Sequence, residues 1–546
     1  MAGGRLVELA KSRGLLRGSI PDGGKRPVIV VNDRELRDKR AEALAALQAI
    51  NDPPFLFVRG AVLTRFRTTE TGAPMLEIVT EPALRGHLAD AADWRRERTD
   101  ARGNVRYEIV SPPRDVVEDI LSQAELPFPP IRGIVEAPVF GKTGRLVTEP
   151  GYNPDAWLWY HKAPGLEVPA VPEKPSRDDV ERAKALLLED LMGDFPFVDE
   201  ASRAHALCAL LLPFVREMID GPTPLHLIDK PAPGSGGSLL ADAITIPATG
   251  RPAHVMTESR DEEEWRKRIT SALIDAPTFV MIDNIRRRLD SSALAAALTA
   301  SIWTDRTLGR NRMVLLPVRV VWLGTGNNVA ASNEIARRTC WIRLDPKVDQ
   351  PWRRTGFRHP DLRGWAQANR GQLIWAALVL VQAWIAAGRP QGGQTLGNFE
   401  AWARTMGGIL DVIGVPGFLG NLDQFYAQAD EEMAEWRAFV HRWWDAFGPV
   451  PVRVEQLWQL AVDHELIPAV LGDKGERSQR IRLGKALARM RERIIGDFRI
   501  APMPRDGHLN QAVYCLQKVE AGERAGTDDD ADAFDDDEAG DDVEVF

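Results

Sequence analysis

One segment limits the fold more than any other: Lys230-Pro-Ala-Pro-Gly-Ser-Gly-Gly-Ser-Leu-Leu-Ala241. It follows a short apolar run, Leu225 to Ile228, and opens a helical stretch. A strand, a glycine-rich turn and a helix in that order form the phosphate-binding device of P-loop proteins. Their glycines let backbone N–H groups wrap phosphate oxygens, a lysine meets the terminal phosphates, and a hydroxyl meets Mg²⁺. Gly234, Ser235, Gly236 and Ser238 suit that device. Pro231 stands where the first glycine belongs, and Gly237 where the lysine belongs. A plain Gly-Ser turn between strand and helix also fits these residues. Lys230, just ahead of the loop, is a candidate substitute for the lysine.

Three further motifs follow in order. Phe279-Val-Met-Ile-Asp283-Asn284 reads as a buried strand that delivers a carboxylate to its end, where Ser238 and Asp283 could hold Mg²⁺. Val318-Arg-Val-Val-Trp-Leu-Gly-Thr-Gly-Asn327-Asn328 reads as a second buried strand, ending in amides suited to orienting water or sensing a γ-phosphate. Glu334-Ile-Ala-Arg337-Arg338 places two arginines at a helix end, where they could reach a neighbour's nucleotide. Each motif alone has a bland reading: a strand ending in Asp, an Asn-rich turn, a solvated basic helix end. Their order is that of an AAA+-type ATPase.

Around this core the pattern predicts an α/β chain with six parts. They are an N-terminal α+β domain (1–172), a helical lead-in (173–222), the ATPase core (223–350), a helical lid (351–428), a winged-helix-like domain (429–518) and an acidic tail (519–546). The core strands are expected at Leu225–Ile228, Thr278–Ile282 and Val318–Leu323. In the C-terminal domain a basic helical run, Ser478 to Arg493, precedes two strand-like pieces. Arg480, Arg482, Lys485 and Arg489 are its candidate DNA contacts.

The net charge of −9 argues at first against a nucleic-acid partner. Residues 527–546 hold eleven Asp or Glu and no Lys or Arg, so without them the body carries about +2. The body can therefore present basic surface. The tail has too little apolar surface to fold. Cys208, Cys340 and Cys515 are far apart, which excludes a CxxC zinc site or a disulfide framework and suits a cytoplasmic chain. The most apolar stretch, Leu373 to Ala387, is broken by Gln382 and reads as a buried helix, with no membrane partner expected. Residues 1–170 show no paired-carboxylate primase centre and no zinc ribbon.

Several segments carry a family likeness: Trp303-Thr-Asp-Arg306-Thr-Leu-Gly309, Leu316-Pro317, Thr325-Gly-Asn-Asn328, Arg337-Arg338 and Pro351-Trp-Arg-Arg-Thr-Gly-Phe-Arg358. Together they resemble the phage- and plasmid-type primase-helicase ATPases, relatives of the superfamily-three helicases. The stretch from Pro138 to Tyr152 is similar to the region ahead of the ATPase in those proteins. The likeness spans roughly residues 130–420. It implies ATP with Mg²⁺, a hexameric ring of identical chains, and movement along single-stranded DNA during replication of a mobile element. It also implies that Asn327 or Asn328 acts as sensor, that Arg337 or Arg338 is a finger inserted in trans, and that Arg310 and Arg312 lie on a pore loop. A primase would be a separate chain. The acidic tail, ending in Phe546, is similar to the docking tips of single-stranded-DNA-binding proteins, and a solubilising role suits it as well. Alternatives are a catalytically impaired nucleotide-binding ring that acts as a scaffold or loader, and an AAA+ transcription regulator.

Overall fold

The computed structural model describes residues 26–70, 72–306, 313–429, 431–472, 474–503 and 512–519. The chain divides into two compact units, Met1–Tyr426 and Ala427–Phe546.

The first unit is built on five strands: β1 (Leu225–Lys230), β2 (His254–Thr257), β3 (Phe279–Ile285), β4 (Val321–Asn327) and β5 (Thr339–Arg343). Their order across the sheet is β2-β3-β4-β1-β5, and every pairing is parallel. Parallel sheets are covered on both faces, so their inner strands read as unbroken apolar runs. All six residues of β1 are buried, β3 is buried except at Asp283 and Asn284, and β4 is buried up to Asn327. Those three strands are the ones the apolar runs predict. β2 is an edge strand with only Met256 buried, and it carries no apolar run to read. β4 begins at Val321 rather than Val318. The N–H of Val318 is instead bonded to the carbonyl of Ser301, at the foot of a hairpin formed by Ile302–Arg306 and Met313–Pro317. The result is a mixed α/β unit with a five-stranded parallel sheet, as in a P-loop ATPase core.

Helices α1 (Glu200–Val215), α2 (Gly237–Thr249), α4 (Arg370–Ala386) and Glu400–Ile413 all contribute to the main core, while α3 (Glu262–Asp275) lies between β2 and β3 in the chain. Asp199 caps α1 by accepting a hydrogen bond from the Ser202 N–H at 2.7 Å. Leu373 through Val381 are all buried in α4. This accounts for the most apolar stretch of the sequence. No helix among the described residues is long and apolar enough to cross a membrane.

Residues 28–109 of this unit hold two three-stranded sheets, Val28–Val30/Asp93–Thr99/Val105–Ile109 and Leu56–Arg59/Val62–Thr68/Pro74–Ile78, and a third, Gly151–Asn153/Leu158–Tyr160/Gly133–Val135, follows. Helices Leu36–Ala49, Glu81–Ala91 and Arg114–Ser122 share the core of the first two. Two of the contacts that join this part to the rest of the unit reach helix α3 and the Ile302–Pro317 hairpin. The Arg59 guanidinium donates to the Leu273 and Ile274 carbonyls at the end of α3, at 2.7 and 2.8 Å. A basic group at a helix C-terminus also matches the helix dipole. Gly60, at φ 54°, passes so close to Leu315 that a Cβ would fall 1.4 Å from its carbonyl oxygen. Only glycine fits there.

In the second unit, helices Glu431–Phe447, Val454–Asp463, Pro468–Leu471 and α5 (Glu476–Arg489) surround a small antiparallel sheet. Its strands are Val452–Arg453, Val513–Lys518, Phe498–Met503 and Ile494–Ile495, in that spatial order. Trp436, Phe439, Trp443, Leu483, Leu487 and Ile500 fill the core.

Two histidines inside the first unit predict its acid response. The His205 Nδ1 lies 2.7 Å from the Trp341 carbonyl, and its Nε2 accepts the Leu419 N–H at 2.9 Å. That pairing needs the neutral ring. Burial pushes the pKa of His205 down to about 4 and that of His226 to about 3. In the unfolded chain both rings titrate near 6.5, so in this window the unfolded state binds more protons. The stabilising contribution is complete above about pH 6.5 and is lost as pH falls towards 4, at about 1.4 kcal/mol per pH unit for each ring. We expect the urea midpoint of unfolding to drop between pH 7 and pH 5. His205→Gln should flatten that slope, and an unchanged midpoint would contradict the assignment.

Candidate active site

In an open parallel sheet, ligands bind where the strand order reverses, beyond the carboxyl ends of the strands. Here the chain leaves β1, crosses to the far edge at β2, returns through β3 and β4, and ends at β5 on the other side of β1. The crevice therefore opens over β1, β3 and β4. The first three sequence motifs end at that edge, and the fourth lies between β4 and β5.

The loop after β1 turns through Gly234 (φ 81°) and Gly236 (φ 93°), both left-handed. Gly236 is the residue ahead of α2. The buried Ser235 hydroxyl donates to the Ala232 carbonyl at 2.8 Å, so its side chain closes the loop on itself. Ser238, the second residue of α2, is exposed. The helix N-terminus adds partial positive charge and unpaired N–H groups, which favour an anion there.

A bulge sits at the end of β3, where pairing with β4 shifts between Ile282 and Ile285. Bulges re-aim side chains at strand ends. The half-buried Asp283 carboxylate accepts the Thr325 hydroxyl at 2.6 Å. The same Thr325 oxygen accepts the Asn284 N–H at 3.0 Å, and Asn284 adopts φ 57° and is exposed. Thr325 thus fixes one oxygen of Asp283 from the neighbouring strand. It lies within the motif the sequence singles out, yet only strand pairing reveals its partner.

The two asparagines at the end of β4 differ. The Asn328 N–H donates to the Lys230 carbonyl at 2.9 Å, and its Oδ1 accepts from Arg343 at 2.8 Å. Asn328 ties β1, β4 and β5 together. The Asn327 Oδ1 is buried and has no hydrogen-bonding partner among the described residues. Such a group carries a desolvation cost and is the kind that a bound water or ligand satisfies.

Asp229 anchors the floor. Its carboxylate is buried and accepts from the Lys230 N–H (2.9 Å), the Val329 N–H (3.0 Å), Trp341 Nε1 (3.3 Å) and the Arg343 guanidinium. Next to it, Lys230 turns inward. Its Nζ donates to the Gly326 carbonyl at 3.2 Å, and its side chain runs past Gly237. Burial lowers the pKa of Lys230, while Asp229 and Asp283 pull it back up.

The arginine pair also divides. Arg338 is half-buried and donates to the Glu334 carbonyl at 2.7 Å within its own turn. Arg337 is exposed. The Trp352 ring, more than half exposed, lies against the loop, and a Cβ on Gly234 would be 3.4 Å from its Cε3. Trp352 belongs to the Pro351-to-Arg358 segment that carries the family likeness, though nothing in the sequence places it on the loop.

These residues fit a nucleotide with Mg²⁺. The loop offers an anion cradle, Ser238 and Asp283 offer oxygen ligands of the type Mg²⁺ takes, and Asn327 offers an unsatisfied amide oxygen. No group of three or more His, Cys, Asp or Glu side chains that could hold a metal ion by themselves occurs among the described residues.

No protein-family model matches the chain, and no curated protein matches it. Solved structures do. One is the C-terminal region of NrS-1 in an apo form, at 11% identity and TM-score 0.31, covering 78% of this chain and 96% of the other. A second is the active helicase Cch of SCCmec type IV, at 11% identity and TM-score 0.34, covering 85% and 91%. A third is JCV helicase with a bound small molecule, at 11% identity and TM-score 0.18, covering 47% and 69%.

The remaining candidates lie elsewhere. Arg310 and Arg312 fall outside the described residues, between the two strands of the Ile302–Pro317 hairpin. In α5 of the second unit, Arg482, Lys485 and Arg489 are exposed and share one side of the helix with the exposed Ile481. Arg480 differs from them: it is half-buried, ion-paired with Glu455 and with Glu476 (3.2 Å), and its guanidinium lies 5.7 Å from the centre of the Trp458 ring.

Proposed function

We propose that this chain is an ATP-dependent DNA helicase or translocase of the AAA+ kind that serves replication of a mobile element. One observation carries the reading. A glycine loop, a fixed carboxylate and an unsatisfied amide meet at the carboxyl ends of three adjacent parallel strands, within one crevice. Phosphoryl transfer asks for positioned charge and a positioned water more than for covalent chemistry. The bound nucleotide and its cation supply the phosphoanhydride and the bridging charge. Ser238 and Asp283 hold the cation, Thr325 holds Asp283, and Asn327 orients the attacking water. Arg337 extends into the site of the neighbouring subunit in a hexameric ring, while Arg338 secures its own helix turn.

In this reading residues 351–428 form the lid. Arg310 and Arg312 face single-stranded DNA in the ring pore, where basic groups track phosphates. The 429–518 domain is a winged helix whose α5 lies in a duplex groove. Priming falls to a separate chain, and the tail recruits a partner or keeps the chain soluble. The test is strand separation: a labelled duplex with a single-stranded arm should open only with ATP and Mg²⁺. ATP turnover without any strand separation or movement on DNA would defeat the motor reading.

Helix α5 predicts its own mutants. Lys485→Ala with Arg489→Ala should weaken duplex binding and lower its salt dependence by about one unit of slope per lysine or arginine removed. Arg480→Ala, whose charge is already met by two glutamates, should change that slope less. Equal slopes for wild type and the double variant would remove α5 from the interface.

A further inference from the structure

Gly237 occupies the position from which a P-loop normally sends its lysine towards the phosphates. A side chain there would press on a single neighbour, which would have to give way by a few tenths of an ångström. A Cβ built on Gly237 would lie 3.1 Å from each of Cδ, Cε and Nζ of Lys230. The space of the missing lysine is therefore filled by another lysine, sent from the last residue of β1 rather than from the first turn of α2. Lys230 is only 9% exposed, so burying its ammonium carries a cost, which the nearby Asp229 and Asp283 carboxylates offset in part. One ammonium hydrogen is accounted for by the Gly326 carbonyl, and an ammonium has three.

We propose that Lys230 is the phosphate-contacting lysine of this site, and that Gly237 is glycine because Lys230 lies across it. This rests on the reading of the crevice as a nucleotide site. The strand register supports the geometry. Lys230 pairs with Asn327 across β1 and β4, so its side chain arises beside the unsatisfied amide and one strand away from Asp283. Asp229 holds the Lys230 backbone N–H and, with Arg343, fixes the strand end from which the side chain starts. The loop thus keeps its cation but takes it from the opposite side. The change from lysine to glycine at 237 is a relocation and not a loss.

The experiment measures ATP and ADP affinity calorimetrically on the full chain, for wild type, Lys230→Met, Gly237→Lys and the double variant Lys230→Ala/Gly237→Lys, with thermal melting of each. A lysine that meets the terminal phosphates weakens ATP binding about 10- to 100-fold when removed, the range of a charge-assisted hydrogen bond. ADP should lose less than ATP. Gly237→Lys alone should also bind ATP poorly, because two lysines compete for one space. The double variant should recover ATP affinity, since it restores one lysine in the usual place. If wild type binds ATP and Lys230→Met binds it equally well, the inference fails while the nucleotide site stands. Equal losses of ATP and ADP, with a lowered melting temperature and no recovery in the double variant, would make Lys230 a structural residue and also overturn it. If wild type binds neither nucleotide, the reading of the site falls and this inference falls with it.

Discussion

Arg337→Ala is expected to lower ATP turnover by about 10³-fold or more while leaving ATP affinity within a few-fold of wild type. Arginines inserted in trans contribute roughly 10³ to 10⁵ to the rate of phosphoryl transfer, because they meet charge that grows only in the transition state. Arg337 is exposed at the end of its short helix, while its neighbour bonds back to the Glu334 carbonyl. Arg338→Ala should therefore act on folding more than on rate, by removing a bond within its own turn. A mixing experiment separates the two roles. Arg337→Ala chains added to Asp283→Ala chains should recover part of the activity, since one supplies an intact crevice and the other an intact arginine. Mixed rings no more active than either parent, or full turnover by Arg337→Ala alone, would remove the arginine from the site.

The second large effect is at Asp283. Its carboxylate is the one acidic group that β3 delivers to the crevice, and Thr325 already occupies one of its oxygens at 2.6 Å. A metal-bridged phosphoryl group draws several kcal/mol of charge stabilisation from its cation, so losing the carboxylate should cost turnover by about 10²- to 10³-fold. Asp283→Asn keeps the shape and the Thr325 contact but not the charge. It should lose turnover nearly as fully as Asp283→Ala while melting close to wild type. Thr325→Val should fall between them, because the carboxylate remains but is no longer held.

The inner strands of the sheet were legible in the sequence because burial on both faces leaves apolar runs such as Leu225 to Ile228 and Phe279 to Ile282. The edge strand His254–Thr257 left no such run, since only Met256 points into the core. The candidate site residues were legible where they end a strand or a loop. Their division of labour was not. Whether Asn327 or Asn328 stays unsatisfied depends on Arg343, which arrives from a strand on the far side of β1. Whether Ser235 or Ser238 is available depends on a loop closing on the Ala232 carbonyl. Lys230 shows the limit best. The sequence places a lysine seven positions before the expected one, but only the inward turn of its side chain shows that it runs past Gly237. Arg480 shows the reverse. A dense basic run suggests four equal contacts, and pairing with Glu455 and Glu476 sets one apart.

The central claim is that this crevice hydrolyses ATP in response to DNA. Steady-state phosphate release by the full chain with Mg²⁺, with and without single-stranded DNA, beside the Asp283→Ala variant, tests it most directly. Turnover should rise when single-stranded DNA is added and disappear in the variant. Turnover that is absent, or that persists unchanged without the carboxylate, would contradict it.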